Sequence, residues 1–304
     1  MNTKPICQEI MIDLTNYCNL SCPLCPNSDI RKNKKIIPKQ LSFDKFKAFI
    51  NTLQTFPDLF VFGNKCEPLL NNSVFDMVKY VNSKSNCHTI MFTNFNPVDK
   101  FKIEDIISSG IKHFIIGLDG IDQISYSKYR IGGNFDRVIN SIKQIQNYKK
   151  IHNLQVPILS IMFIVFKHNE HLIEKAKKLF ESLKVHVDFK RTDLYDGCEQ
   201  WLPEKFTKNI TIDKNQSEQT SSFCILPWRK ATIDIDGNVF PCCADEALEF
   251  RFGNIFEKNF DEIWDGQELN NLRLFLKNEI KNIKVPCINC PVYKNNGYTD
   301  VANI

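Results

Sequence analysis

The chain has 304 residues and a formal net charge of +4 from nearly balanced bases and acids, which gives no electrostatic ground for a nucleic-acid or membrane-surface role. No run approaches the ~18 apolar residues of a membrane span, and the opening Met1-Asn2-Thr3-Lys4-Pro5-Ile6-Cys7 lacks the apolar core of a signal peptide, so a cytoplasmic protein is expected. Twelve cysteines in such a protein argue for metal or catalytic work rather than a disulfide framework, because the cytosol keeps thiols reduced.

An apolar run at 9–15 reads as a strand and leads into Cys18, Cys22 and Cys25, three thiols at C-x3-C-x2-C spacing. An iron–sulfur cube takes four thiolates, so a group of three leaves one iron open to a chelating ligand. Zinc held with a distant fourth Cys is the alternative for these residues. Further strand-like runs at 59–62, 88–93, 113–118, 156–166 and 186–189 alternate with amphipathic stretches at 42–54, 73–83, 99–109, 134–149 and 170–183. Six strands alternating with helices predict an α/β fold: a parallel sheet with right-handed crossovers, forming a partial (β/α)6 TIM barrel. Reactive groups in such barrels come from the C-terminal ends of strands. That rule singles out Gly63-Asn64-Lys65-Cys66-Glu67-Pro68, Thr93-Asn94-Phe95, Gly117-Leu118-Asp119-Gly120 and Lys190-Arg191.

The polar stretch 192–222, with Pro203, reads as a linker between a barrel at 1–191 and a Cys-rich module at 223–304. There, alternating Thr232-Ile233-Asp234-Ile235-Asp236 turned at Gly237-Asn238 predicts a hairpin, and 254–276 a helix. Cys224, Cys242, Cys287 and Cys290 can then converge on a second cluster or on zinc.

The segment Thr15-Asn16-Tyr17-Cys18-Asn19-Leu20-Ser21-Cys22-Pro23-Leu24-Cys25 resembles the cluster-binding loop of radical S-adenosylmethionine (SAM) enzymes, with Leu24 where that family usually has an aromatic residue. The resemblance implies a [4Fe-4S] cluster whose open iron holds the SAM amino and carboxylate groups. It further implies an external one-electron reductant, flavodoxin or ferredoxin, and a 5′-deoxyadenosyl radical. By the same resemblance Glu67 receives the SAM amino group, with Cys66 where the family has Gly. Asn94 meets the ribose or methionine portion, in a segment that is often Thr-Asn-Gly. Arg130 pairs the SAM carboxylate, and Gly117 stands at the position of a family Ser. Plain structural roles remain open for each: a loop turned at Pro68, an Asn satisfying nearby backbone, a surface Arg, and a turn-capping Asp119.

The C-terminal cysteines resemble the auxiliary-cluster module, SPASM or its shortened single-cluster twitch form, appended to many of these enzymes. In that module a Gly five residues before the second ligand, here Gly237, selects Cys242 over Cys243. No Cys follows Cys290, which points to the single-cluster form and to two [4Fe-4S] clusters in all. A fully thiolate-ligated cluster suits electron transfer, so the resemblance extends to dehydrogenases of sugars and aminocyclitols. It implies a small-molecule substrate, sugar- or nucleotide-linked, with Arg191 either assisting deprotonation or standing as a solvated charge; the run Arg31-Lys32-Asn33-Lys34-Lys35 reads from its charge as a solvated loop or as an attractor of a phosphorylated or nucleotide-linked substrate. Competing readings are an epimerase with Cys66, Cys87, Cys198 or Cys243 as hydrogen donor, a peptide maturase, and a zinc- or cluster-stabilised binding module. The maturases usually carry a leader-recognition domain, for which the 17 residues before Cys18 leave no room.

Overall fold

The structure is a computed structural model that describes residues 5–25, 36–191, 198–206, 224–242, 250–280 and 287. Strands β1 (Glu9–Ile12), β2 (Leu59–Phe62), β3 (His88–Thr93), β4 (His113–Gly117), β5 (Ile158–Val165) and β6 (His186–Arg191) pair parallel in chain order. The predicted helices are present as α1 (Phe43–Thr52), α2 (Val74–Lys84), α3 (Ile103–Ser108), α5 (Phe135–Ile151) and α6 (Ile173–Ser182). A short helix α4 (Gln123–Ser127), absent from the sequence reading, is nucleated by a reciprocal capping box between Asp122 and Ser125.

Side-chain alternation divides this sheet into two faces. On β5, Leu159, Ile161, Phe163 and Val165 are buried, while Ser160, Met162 and Ile164 are half-buried. The buried face carries the helices: Phe46 of α1 meets the rings of Phe60 and Phe62, and Phe75 of α2 meets Phe114. The other, inner face runs through Met11, Val61, Ile90, Ile115 and Ser160, and its C-terminal end holds the loops that carry the chemistry.

The C-terminal region joins the same sheet. The predicted hairpin forms from β7 (Lys230–Ile233) and β8 (Asn238–Phe240), turned at Gly237 with φ +84°. Its first strand pairs parallel with β1, in register Glu9↔Lys230 to Ile12↔Ile233. With β9 (Gly253–Asn254) the strand order is β6-β5-β4-β3-β2-β1-β7-β8-β9, an open sheet rather than a closed barrel. Two features seat β7 there. All four β1 residues are buried, as suits an interior strand, and the buried Lys230 Nζ lies 2.8 Å from Glu9 Oε1.

The helix expected over 254–276 is instead broken in two. Asn254 donates its side-chain amide to Asp236 O and Asn238 Oδ1, bracing the hairpin turn. The helical part begins later, as α8 (Phe260–Trp264) and α9 (Gln267–Leu276), and is interrupted by Gly266 in an extended conformation. Helix α7 (Leu226–Arg229) lies between Cys224 and β7. Among the described residues no helix is long and apolar enough to cross a membrane.

Candidate active site

The loop after β1 is pinned on both sides. Asp13 N–H donates to Ile233 O of β7 at 2.9 Å, and Asp13 Oδ1 accepts from the backbone N–H groups of Asn64 and Lys65 at 2.9 and 3.1 Å. Burial pushes the Asp13 carboxyl up to about 6. The loop then presents its thiols, with Ser21 N–H bonded to Ile131 O. Cys22 is buried with Leu20, Tyr129 and Phe166, and Cys18, Leu24, Cys25 and Trp201 pack around this group. Its thiol is pushed up to about 11 by burial.

Glu67 joins the loops after β1, β2 and β3. Its backbone N–H donates to Tyr17 O, and its carbonyl accepts from the Thr15 hydroxyl. Its carboxylate, 2 % exposed as a residue, accepts from Leu69 N–H and the Thr93 hydroxyl on Oε1 and from Asn94 N–H on Oε2, at 3.0, 2.6 and 2.7 Å. Burial raises this carboxyl to about 7, against the pull of those donors. Asn94 continues the chain of bonds. Its Nδ2 lies 2.9 Å from Asn19 Oδ1 and 3.4 Å from Cys18 Sγ, and its Oδ1 accepts from Asn96 N–H. Asn96 in turn donates to the Tyr126 hydroxyl and accepts from Asn134 N–H, reaching α4 and α5.

Arg130 completes the surroundings of the loop. Its Nε lies 2.6 Å from Asp119 Oδ2, with the two side chains 14 and 0 % exposed, and its Nη1 stands 4.0 Å from Cys22 Sγ. Burial pushes the Asp119 carboxyl up, opposed by the guanidinium. Asp119 Oδ1 also accepts from Ile164 N–H, so it ties β4 to β5. Gly117 makes room for this pairing. A Cβ there would lie 2.5 Å from Arg130 Nη2, so the guanidinium fills the space beside a position that the resemblance gives to Ser.

Strand register separates Arg191 from Lys190. Arg191 is the partner of Val165, on the helix-covered face, and its Nε is buried without a hydrogen-bond partner among the described residues. Its neighbour Lys190 pairs with Ile164 on the inner face, 3.7 Å from Asp188 Oδ2. Twist and pleat send adjacent residues to opposite faces, so Lys190 and Arg191 meet different surroundings.

The sequence reading also missed an aromatic wall. Tyr129, Phe166 and Trp201 contact one another at centroid distances of 4.3 to 5.7 Å beside the cysteine loop, and His168 stacks on Phe166. Trp201 lies within the stretch read as linker; an aromatic residue in a polar segment was the available signal. Of the proposed hydrogen donors, Cys87 precedes β3 and lies at the opposite end of the sheet from the cysteine loop. Cys198 is buried at the start of the turn that carries Trp201, and Cys66 is half-buried beside Glu67.

In the C-terminal set, Cys224 is buried just before α7, Cys242 follows β8, and Cys287 packs against the core. Cys290, Cys243 and the 31–35 run lie outside the described residues. The donor sets fit iron–sulfur chemistry. Three thiols share one loop, with the N–H groups of Leu20 and Asn94 both 3.4 Å from Cys18 Sγ. Among the described residues no three His, Cys, Asp or Glu side chains are gathered tightly enough for a single metal ion.

This arrangement defines an enzyme that binds SAM and [4Fe-4S] clusters: a model of the radical SAM superfamily matches residues 12–180, and the chain belongs to that superfamily. A second model, the SPASM iron–sulfur cluster-binding domain, matches residues 224–291. Among curated relatives, the chain is 23 % identical over 303 residues to the AdoMet-dependent heme synthase of Nitratidesulfovibrio vulgaris, covering 87 % of this chain and 80 % of that protein. It is 19 % identical over 285 residues to the S-adenosyl-L-methionine-dependent 2-deoxy-scyllo-inosamine dehydrogenase of Niallia circulans, covering 92 and 91 %. The fold is similar to that of Streptococcus suis SuiB bound to S-adenosylmethionine, with a TM-score of 0.71 at 14 % identity, covering 95 % of this chain and 72 % of that one.

Proposed function

We propose that this enzyme oxidises an alcohol carbon of a small polyhydroxylated substrate, a sugar or aminocyclitol, with Cys18, Cys22 and Cys25 holding the first cluster and Cys224, Cys242, Cys287 and Cys290 the second. The observation that carries the reading is the end-to-end match, across both iron–sulfur regions, with a dehydrogenase of an aminocyclitol. When bound, the first cluster with SAM supplies a radical that abstracts hydrogen, and the second supplies a one-electron acceptor. The protein must then receive the hydroxyl proton as the carbonyl forms. Asp188 is suited to accept it, with Lys190 Nζ 3.7 Å away on the inner face. Arg130, braced by Asp119, offers a guanidinium to the SAM carboxylate. The aromatic wall of Tyr129, Phe166 and Trp201 excludes water beside the first cluster.

The test is anaerobic turnover of reconstituted, reduced enzyme with a panel of aminocyclitols and nucleotide sugars in deuterated buffer, read by mass spectrometry. One SAM consumed per product two hydrogens lighter supports the dehydrogenase. A product of substrate mass plus one deuterium at carbon assigns an epimerase instead. Lys190→Ala and Asp188→Asn should lose oxidation while still cleaving SAM, whereas Arg191→Ala should retain both. The similarity to the PqqA peptide cyclase of Gluconobacter oxydans, 21 % identical over 289 residues, keeps a peptide substrate as the second reading, and modification of a peptide with no turnover of the panel would decide for it.

A further inference from the structure

Asn94 was expected to face SAM, yet every polar group of its side chain is engaged by the protein. Its amide nitrogen donates to Asn19 Oδ1 and approaches Cys18 Sγ at 3.4 Å, and its oxygen accepts from Asn96 N–H and Asn96 Nδ2 at 2.9 and 3.1 Å. Four contacts from three residues therefore fix which way the amide points. Its backbone is held as firmly, with the N–H bonded to Glu67 Oε2 at 2.7 Å.

The next residue shows what this orientation costs. Phe95 has φ +63°, a left-handed conformation that a bulky side chain rarely adopts and that costs about 1 kcal/mol or more. A Gly would adopt it without penalty. Phe95 persists because its ring is fully buried against Phe114 at 5.4 Å and its N–H bonds to the Thr93 hydroxyl at 2.8 Å. The left-handed turn brings Asn96 back onto Asn94, and Asn96 locks the amide in place. A strained, doubly bonded turn that aims one N–H at a thiol is an arrangement with a directional purpose. Hydrogen bonds to cluster sulfurs draw charge from them and favour the reduced state, which is one of the means by which proteins set cluster potentials.

We propose that Asn94 is a positioning residue of the first cluster: its side-chain amide donates to the Cys18 thiolate and raises the potential at which that cluster accepts its electron. The proposal rests on the reading of Cys18 as a cluster ligand, and it assigns Asn94 to the cluster rather than to SAM. Asn94→Ala removes the donor, and Asn94→Asp replaces it by an acceptor of the same shape. In EPR-monitored redox titrations of the holoenzyme without SAM, Asn94→Ala should shift the oxidised-to-reduced ratio about tenfold toward oxidised, or 59 mV for one electron. Asn94→Asp should shift it further in the same direction. The dissociation constant for SAM should stay within about twofold of the wild type.

Two results would overturn the proposal: an unshifted potential in an iron-replete Asn94→Asp enzyme, or a potential unchanged alongside a large loss of SAM affinity. Should either variant fail to load iron, the wild type decides. With asparagine side chains labelled by 15N, pulsed EPR of the reduced first cluster should show a nitrogen coupling, and its absence refutes the contact. A Cys18/Cys22/Cys25→Ala variant tests the ligand reading separately, since a first-cluster signal surviving there would remove that reading whatever Asn94 does.

Discussion

The two cysteine regions are held in different ways. Around Cys18, Cys22 and Cys25 the support is polar and directional: Glu67, Thr93, Asn94 and Asn96 form a continuous series of hydrogen bonds, and Arg130 is paired with Asp119. In the described part of the C-terminal region, helices α8 and α9 bury Phe260, Ile263, Trp264, Leu269, Leu272 and Leu276. One cation crosses that second region. Arg273 donates to Pro227 O and Trp264 O at 2.9 Å and lies over the Trp264 ring, whose Nε1 reaches Pro5 O. Directional bonds fix where atoms sit, whereas apolar burial mainly adds stability. The first arrangement fixes the direction of individual donors and acceptors around the thiols, and the second anchors its region by burial.

The sharpest way to break this comparison is to remove each set of thiols. Replacing Cys18, Cys22 and Cys25 by Ala should leave about four of about eight irons and abolish SAM cleavage, because no open iron remains. Replacing Cys224, Cys242, Cys287 and Cys290 should leave SAM cleavage and abolish substrate oxidation. Iron analysis and 5′-deoxyadenosine formation check both. Cleavage persisting in the first variant would remove the assignment of its three thiols.

Removing one buried cation from each region should show the same asymmetry. Arg130→Ala strands the fully buried Asp119 carboxylate, a loss of about 3–5 kcal/mol by the usual cost of breaking a buried pair. Arg273→Ala abandons carbonyl acceptors rather than a charge, for about 1–3 kcal/mol. Denaturant unfolding of both variants measures the order, and an Arg273 variant less stable than the Arg130 variant would contradict it.

The polar region should also respond to pH. Glu67 holds its proton in the folded protein to about pH 7, whereas an unfolded chain releases it near 4.5. Its contribution is present below the unfolded value and is lost as pH rises through 7. Asp13, raised to about 6, acts in the same direction at lower pH. Stability should therefore fall by about 2 kcal/mol between pH 5.5 and 7.5 from Glu67. Glu67→Gln should flatten this part of the slope while lowering stability throughout, because an amide cannot accept from all three donors. A slope unchanged by the substitution would place the titration elsewhere.

Much of this architecture is legible in the sequence. The six barrel strands and five of their helices follow from apolar periodicity, which is strong wherever one face is buried and the other is not. The hairpin at Gly237 follows from turn chemistry. The attachment of β7 to β1 does not, because parallel pairing between strands some 220 residues apart leaves no local signature. The site divides in the same way. The spacing of Cys18, Cys22 and Cys25 is a one-dimensional pattern, but the choice between Lys190 and Arg191 depends on where the strand begins its alternation. The role of Asn94 depends on a left-handed turn at Phe95 that no propensity favours.

The smallest expected effect concerns Gly117, the position that the resemblance gives to Ser. Restoring that Ser would seem conservative, since its hydroxyl could bond a carboxylate. Here the Cβ would lie 2.5 Å from Arg130 Nη2 and 2.9 Å from its central carbon. The guanidinium, already bonded through Nε to Asp119, cannot retreat without straining that bond, and the strand backbone is held in register by Met162. Overpacking of this kind costs about 1–3 kcal/mol, less than losing the ion pair because the charges remain near each other. Gly117→Ser should therefore be folded and iron-replete, with weaker SAM binding. In an Arg130→Ala background the same Ser should fit the vacated space and cost less than it does alone. A double-mutant cycle on unfolding free energy measures that coupling. Additivity would mean that Gly117 and Arg130 do not share the space, and the compensation between them would fall.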